Sequence, residues 1–302
     1  MELRQLEYIL MIDQEKNISH AAEKLYISQS ALNQQLLKLE KELGTQLFVR
    51  SRRDWHATEA GKIYLEGARE ILNIRKDTYA RIHDVLHSEK ATLAVGLAHG
   101  RGFDMFMAIY PALHEQFPNL SLVPTEMSTR RQIENVRNGS LDLGFLTLTD
   151  IDRTDDDFIE LGREELMLLL PVDHPLANAD PAKEVDLRDF TDDKIAMPGR
   201  NTKTRALAER VFENEGIVPN TMFESNDVMS IVSMVQLGFC CGIVPAYYLT
   251  KVFTDDIRAF HLPHRPAFDL CIMSRKKSYM SDGARTFIEL AKNFWAENLP
   301  PL

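Results

Sequence analysis

Gln29, Ser30, Asn33, Gln34 and Lys38 recur at spacings that put them on one side of a helix, with Leu32, Leu36, Leu39 and Leu43 on the other. Planar carboxamides, a hydroxyl and an ammonium on an outward helix face can hydrogen-bond base edges and phosphates in a major groove about 12 Å wide. A polar face taken alone is most often simply solvated, so the reading needs neighbours that make the same demand. Ser28 immediately precedes the face and fits an N-cap. Arg50, Arg52 and Arg53 follow it as a dense basic strip in an otherwise balanced region, where residues 1–90 hold 14 Lys+Arg and 14 Asp+Glu. Such a strip suits phosphate contact. The net charge of −10 therefore belongs to residues 91–302, and an acidic whole argues against nonspecific nucleic-acid binding.

The elements that must position this face follow from periodicity. Leu3, Leu6, Ile9, Leu10 and Met11 predict a first helix, and Ser19 is placed to cap a short second one carrying Ala21, Ala22 and Leu25 inward. Gly44 ends the third helix. Leu47, Phe48 and Val49 then begin an extended segment, so a small β-wing is expected after three helices. From Thr58 to about Ser88 there is no proline, and Ile63, Tyr64, Ala68, Ile71, Leu72, Tyr79, Ile82 and Leu86 form an apolar stripe. A helix of that span would be roughly 45 Å long, more than a small domain covers, so the stripe calls for a second copy of the chain.

Beyond Lys90 strands alternate with helices, which is the texture of a parallel α/β sheet. Strands are expected near 92–98, 120–125, 141–148, 166–170, 194–197, 222–224 and 242–244, with Phe268 to Met273 and the amphipathic Ala284 to Trp295 returning to the first lobe. The expected division is 1–57 for DNA reading, 58–90 for the linker helix and 91–302 for two lobes, lobe I about 91–161 and 267–302 and lobe II about 162–266.

Leu3, Arg4, Gln5 and Leu6, then Ala21, Ala22 and Leu25, then Ser28 to Leu32, then Leu39, Glu40, Leu43, Gly44, Leu47, Phe48 and Arg50, and finally Thr58 to Gly61, closely resemble LysR-type transcriptional regulators. The match is dense over about the first 72 residues. Two positions depart from the family's pattern: Ser30 stands where proline is usual, and Asn33 where serine is. Gly139, Leu141, Asp142 and Leu143, and the run Leu237, Gly238, Phe239, Gly242 to Pro245, are similar to the family's effector domain. The resemblance implies an α/β protein made of a winged helix-turn-helix, a linker helix and a two-lobed domain like type II periplasmic binding proteins. Its implied partners are double-stranded DNA, a small-molecule effector and RNA polymerase, with assembly as a homodimer or homotetramer in the cytoplasm.

The effector cleft is expected where strands run into helices. His99, Gly100, Arg101 and Gly102 stand at one such turn, Ser128 and Thr129 at a second, and Arg200, Asn201 and Thr202 at a third. Two arginines beside backbone donors point to a small organic acid, although a helix cap or a surface ion pair explains each residue singly. No cofactor is expected. His83 and His87, and His261 and His264, have no third metal ligand defined by spacing, and Cys240 and Cys241 read as buried reduced thiols. Walker, GxSxG and HExxH motifs are absent from the sequence, so no nucleophile supports the alternative, a two-lobed binding or enzymatic protein for organic acids. A transported-solute binder would need an export signal, whereas the chain starts with acid at Glu2 and Glu7.

Overall fold

The computed structural model describes residues 2–50, 55–86, 92–149, 157–251 and 255–300. The chain divides into two compact units, Met1–His87 and Ser88–Leu302.

In the first unit α1 (Leu3–Glu15), α2 (Ile18–Lys24) and α3 (Gln29–Leu43) precede the paired strands β1 (Phe48–Arg50) and β2 (Trp55–Ala57), then α4 (Glu59–Val85). Asn17, not Ser19, caps α2: its side-chain oxygen accepts from Ser19 N–H at 2.8 Å and His20 N–H at 3.2 Å. The longer carboxamide reaches both donors and starts the helix at Ile18. Ser28 caps α3 through Ala31 N–H at 3.2 Å, and Gly44 ends it at φ 70°. Leu32, Leu36 and Leu39 enter a core with Ile9, Ile12, Ala21, Ala22 and Phe48. Leu43, expected inward, is 45% exposed because the helix terminates there.

Thr58 locks the wing to α4. Its hydroxyl accepts from Gly61 N–H at 2.9 Å and donates to the Gln46 carbonyl at 2.7 Å, while its own N–H meets the Leu47 carbonyl at 2.9 Å. α4 also holds α1, through Arg69 to Asp13 at 2.7 Å and Arg75 to Glu7 at 2.8 Å. This inward face corrects the expected single stripe. Leu65 and Ala68 are buried within the unit, whereas Ile63, Ile74, Tyr79, Ile82 and Val85 are exposed.

In the second unit β3 (Thr92–Leu97), α5 (Arg101–Gln116), β4 (Ser121–Glu126), α6 (Thr129–Arg137) and β5 (Leu143–Leu148) form the βαβαβ run, with β3 parallel to both β4 and β5. Asp142 ties its start: its carboxylate accepts from Ala94 N–H at 2.8 Å, and its own N–H donates to the Ala94 carbonyl at 2.8 Å. A long strand, β6 (Asp157–Pro171), follows. The rest comprises β7 (Ile195–Pro198), α7 (Lys203–Asn214), β8 (Thr221–Ser225), α8 (Val228–Gln236), β9 (Cys241–Pro245), β10 (Ile257–His261), β11 (Ala267–Ser274) and α9 (Asp282–Asn298). The strand order is β4-β3-β5-β11-β6-β9-β7-β8, with β10 also on β6.

β6 crosses the boundary expected at 161/162 unbroken. Asp157 to Glu165 pair with β11, then Leu166 to Leu169 pair with β9, and Met167 to Pro171 with β10. β11 in turn pairs with β5, so the last strand of the second unit closes on the sheet that its first strands began. Apolar side chains from both halves share one core, including Val95, Phe145, Leu168, Met197, Phe268 and Trp295.

Glycine at 61 is required by contact, since a Cβ there would lie 2.0 Å from the Leu47 carbonyl oxygen. Gly67, on the same helix, has nothing within 4 Å of a built Cβ. Gly61→Ala is expected to destabilise the first unit by about 3 kcal/mol, and Gly67→Ala to stabilise it by up to ~1 kcal/mol. Urea midpoints read from Trp55 fluorescence in a Trp295→Phe background check both.

Candidate nucleic-acid interface and effector cleft

The α3 face emerges as a polar strip. Ser28, Gln29, Ser30, Gln34 and Lys38 are exposed and Asn33 is half-buried, opposite the buried leucines. Ser30 takes its place in the first turn, its hydroxyl 3.0 Å from that of Ser28, so replacing the family's usual proline leaves the helix start intact. Arg50 does something else. Its guanidinium binds the carboxylate of Glu40, which is 7% exposed and also accepts from Leu47 N–H at 2.9 Å. Arg50, expected at a phosphate, ties α3 to the wing through this pair. Arg52 and Arg53 lie outside the described residues.

In the second unit the three expected turns stand at carboxyl ends of parallel strands. Gly100 caps α5 at φ 68°, where a Cβ would meet the Tyr248 hydroxyl at 2.6 Å, and Gly102 packs closely on Phe145 and Leu97. His99 is exposed and bonded to Glu126. Ser128 precedes α6 and makes no side-chain cap hydrogen bond, and the Thr129 hydroxyl reaches the Thr147 carbonyl at 3.5 Å.

Arg101 corrects the expectation of a guanidinium open to an incoming anion. It is 5% exposed, pairs with Glu164, donates to Thr147 Oγ1 at 2.6 Å and lies over the Phe268 ring, 4.6 Å from its centroid. Glu164 also accepts from Tyr247 N–H at 3.0 Å. Burial pushes the Glu164 carboxyl above the ordinary carboxylate range, opposed by Arg101 and the Tyr247 N–H. The Tyr247 hydroxyl, raised chiefly by burial, donates to Asp104 at 3.1 Å. These contacts join α5, β5 and β6 to the 3-10 turn after β9.

Arg200 is exposed and likewise engaged. Its Nε donates to Glu224 at 3.0 Å, and that hydrogen bond holds the Glu224 carboxyl below its usual value. Glu224 also pairs at 3.1 Å with Arg205, a buried residue missed in the sequence because it sits on the inward face of α7. Asn201 is exposed, and Thr202 caps α7 through Arg205 N–H at 3.1 Å. Cys240, Cys241 and Cys271 are all buried thiols, with Cys241 pushed up to about 12 by burial, Asp193 and Cys240. Of the remaining histidines, His261 bonds Glu165 at 2.7 Å, His264 lies 3.6 Å from Glu215, and His87 is outside the described residues. Among the described residues no helix is long and apolar enough to cross a membrane.

Comparison with known proteins adds an independent observation. Residues 3–62 match the family described as bacterial regulatory helix-turn-helix protein, lysR family, and residues 87–296 match the LysR substrate binding domain. The chain belongs to the LysR family. A relative is the HTH-type transcriptional regulator BenM of Acinetobacter baylyi, 31% identical over 277 residues, covering 89% of this chain and 86% of BenM. The Hca operon transcriptional activator HcaR of Escherichia coli is 26% identical over 294 residues, 97% of each chain. The crystal structure of full-length BenM superposes with TM-score 0.59 at 26% identity, covering 100% of both chains. Full-length CbnR complexed with its target DNA shares the fold, with TM-score 0.55 at 22% identity over 97% of this chain and 99% of that one.

Removing one partner of a buried pair leaves a charge without compensation, at a cost of about 3–5 kcal/mol. Glu164→Ala is accordingly expected to lower the stability of the second unit by that amount, and Arg101→Met in the same chain to recover much of it. A double-mutant cycle by chemical denaturation measures the coupling.

Proposed function

We propose that this LysR-family protein regulates transcription by sequence-specific binding to double-stranded DNA through α3 and the wing, under the control of a small molecule held between the two α/β lobes. The observation that carries the reading is the capped, leucine-backed α3 with its polar strip. Gln29, Ser30, Asn33 and Gln34 contact base edges, Ser28 and Lys38 the backbone, and Arg52 and Arg53 phosphates, while Arg50 positions the wing through Glu40. The protein acts by binding, not as an enzyme, as a cytoplasmic homo-oligomer, dimer or tetramer, that works with RNA polymerase. The exposed stripe Ile63, Ile74, Ile82 and Val85 on α4 supports pairing of two copies.

The effector is a small organic acid. Its carboxylate meets backbone N–H groups at the starts of α5 and α6, with the hydroxyls of Ser128 and Thr129 beside it and His99, Gly100 and Gly102 forming the adjoining wall. Arg200, Asn201 and Thr202 contribute from the other lobe. Arg101 acts indirectly, by holding the start of α5 to Glu164. Switching nearly all molecules between two arrangements needs about 5.5 kcal/mol of differential affinity, so contacts from both lobes are required.

Asn33→Ala and Gln29→Ala are expected to leave the fold unchanged and lose about 1–3 kcal/mol of discrimination per bidentate base contact. Gel shifts with promoter and random duplexes, at two salt concentrations, read this out; equal losses on both duplexes, or none, contradict base reading. For the cleft, a thermal-shift screen of organic acids against neutral analogues should favour acids, and Ser128→Ala should weaken the response. Stabilisation by neutral or cationic compounds alone overturns the effector class.

A further inference from the structure

His174, Asp193 and Cys241 come together far from the turns assigned to the effector. Each offers one ligand atom, and the three atoms lie within 4.8 Å of one another; among the described residues this is the one group of its kind. His174 stands in the turn after β6, Asp193 in the turn before β7, and Cys241 opens β9. The two strand starts are bound together, since Cys241 N–H donates to the Lys194 carbonyl at 2.9 Å and Ile195 pairs with Cys241. The His174 ring is held by stacking on Phe190 at 5.6 Å, and its Nε2 lies 3.3 Å from Asp193 Oδ2.

We propose that this cluster binds one zinc-class divalent transition ion through imidazole nitrogen, carboxylate oxygen and thiolate sulfur. Mixed N, O and S donors select such an ion over magnesium or calcium, which take oxygen ligands. The thiolate and carboxylate together neutralise a dication. Tetrahedral zinc places its ligand atoms about 3.3–3.7 Å apart, so the widest pair needs to draw in by at most about 1.5 Å, through side chains on two turns. The Cys241 side is buried and the Asp193 side is about one-third exposed, leaving a solvent-facing position for a water ligand. Cys240 belongs to the core on the opposite face of the sheet, so a single sulfur takes part.

Leu176 N–H donates to His174 Nδ1 at 3.2 Å, which leaves Nε2, 3.3 Å from Asp193 Oδ2, as the nitrogen turned toward the ion. An ion at Nε2 needs that nitrogen's lone pair, so any proton carried there is displaced on binding. The Cys241 thiol proton leaves to solvent. Binding thus ties the end of β6 to the starts of β7 and β9, at the opposite end of β7 from the Pro198 to Thr202 turn.

The test uses the full-length protein stripped with chelator and titrated with Co(II), then with Zn(II). One Co(II) per chain is expected, with a thiolate-to-cobalt charge-transfer band that Zn(II) removes. Cys241→Ser should abolish the band and Cys240→Ser should keep it. His174→Gln and Asp193→Asn, both at partly exposed turns, should weaken affinity at least tenfold and remain informative if Cys241→Ser fails to fold. No thiolate band in the wild type, a band that survives Cys241→Ser, or unchanged affinity in both turn variants overturns the proposal.

Discussion

Between Glu164 and Leu166, β6 exchanges one hydrogen-bonding partner for two others, and both lobes of the second unit are built on that exchange. Leu166 N–H donates to the Pro266 carbonyl at 2.8 Å where β11 ends its pairing, so backbone bonding continues through the crossing. A strand shared in this way lets the lobes have separate outer cores while keeping one ladder between them. Glu164 sits at the crossing with its carboxylate fully buried, and Arg101, Thr147 and Tyr247 converge around the pair it makes. A carboxylate there is costly to bury alone and is tolerated because a guanidinium and an N–H meet it.

This arrangement engages the Arg101 guanidinium wholly within the fold. It joins the start of α5 to the strand common to both lobes in a single ion pair. Tyr248 closes on the same point, its hydroxyl packed against Gly100 so tightly that a side chain there has no room. The second arginine expected in the cleft is balanced by Glu224.

The first unit is organised by a comparable economy. Glu40 reaches from α3 to both the Leu47 N–H and Arg50, and Thr58 reaches from the start of α4 to the segment before the wing. The polar strip on α3 thus stands on a helix fastened at its far end as well as capped at its near end. Gly61 completes the fit by allowing the Leu47 carbonyl against α4.

Local signals explain what was legible in the sequence. Periodicity, caps and the glycine at 44 determined the three helices, the wing and the strand-helix alternation, because each depends on side chains a few residues apart; the same proximity made the Ser28 cap and the outward α3 face readable. Asn17 and Ser19 both satisfy the local rule for the α2 cap, and reach decides for Asn17. Only the tertiary structure decided that Arg50 meets Glu40 across 10 residues, that Arg101 meets Glu164 across 63, and that Arg200 is balanced by Glu224. His174, Asp193 and Cys241 had no spacing to betray them, being drawn from three strand ends that meet in the sheet. An isolated arginine or cysteine carries the same letter whether it faces solvent or a buried partner, and the order of strands, which fixes those partners, is set by long-range pairing that no local pattern encodes.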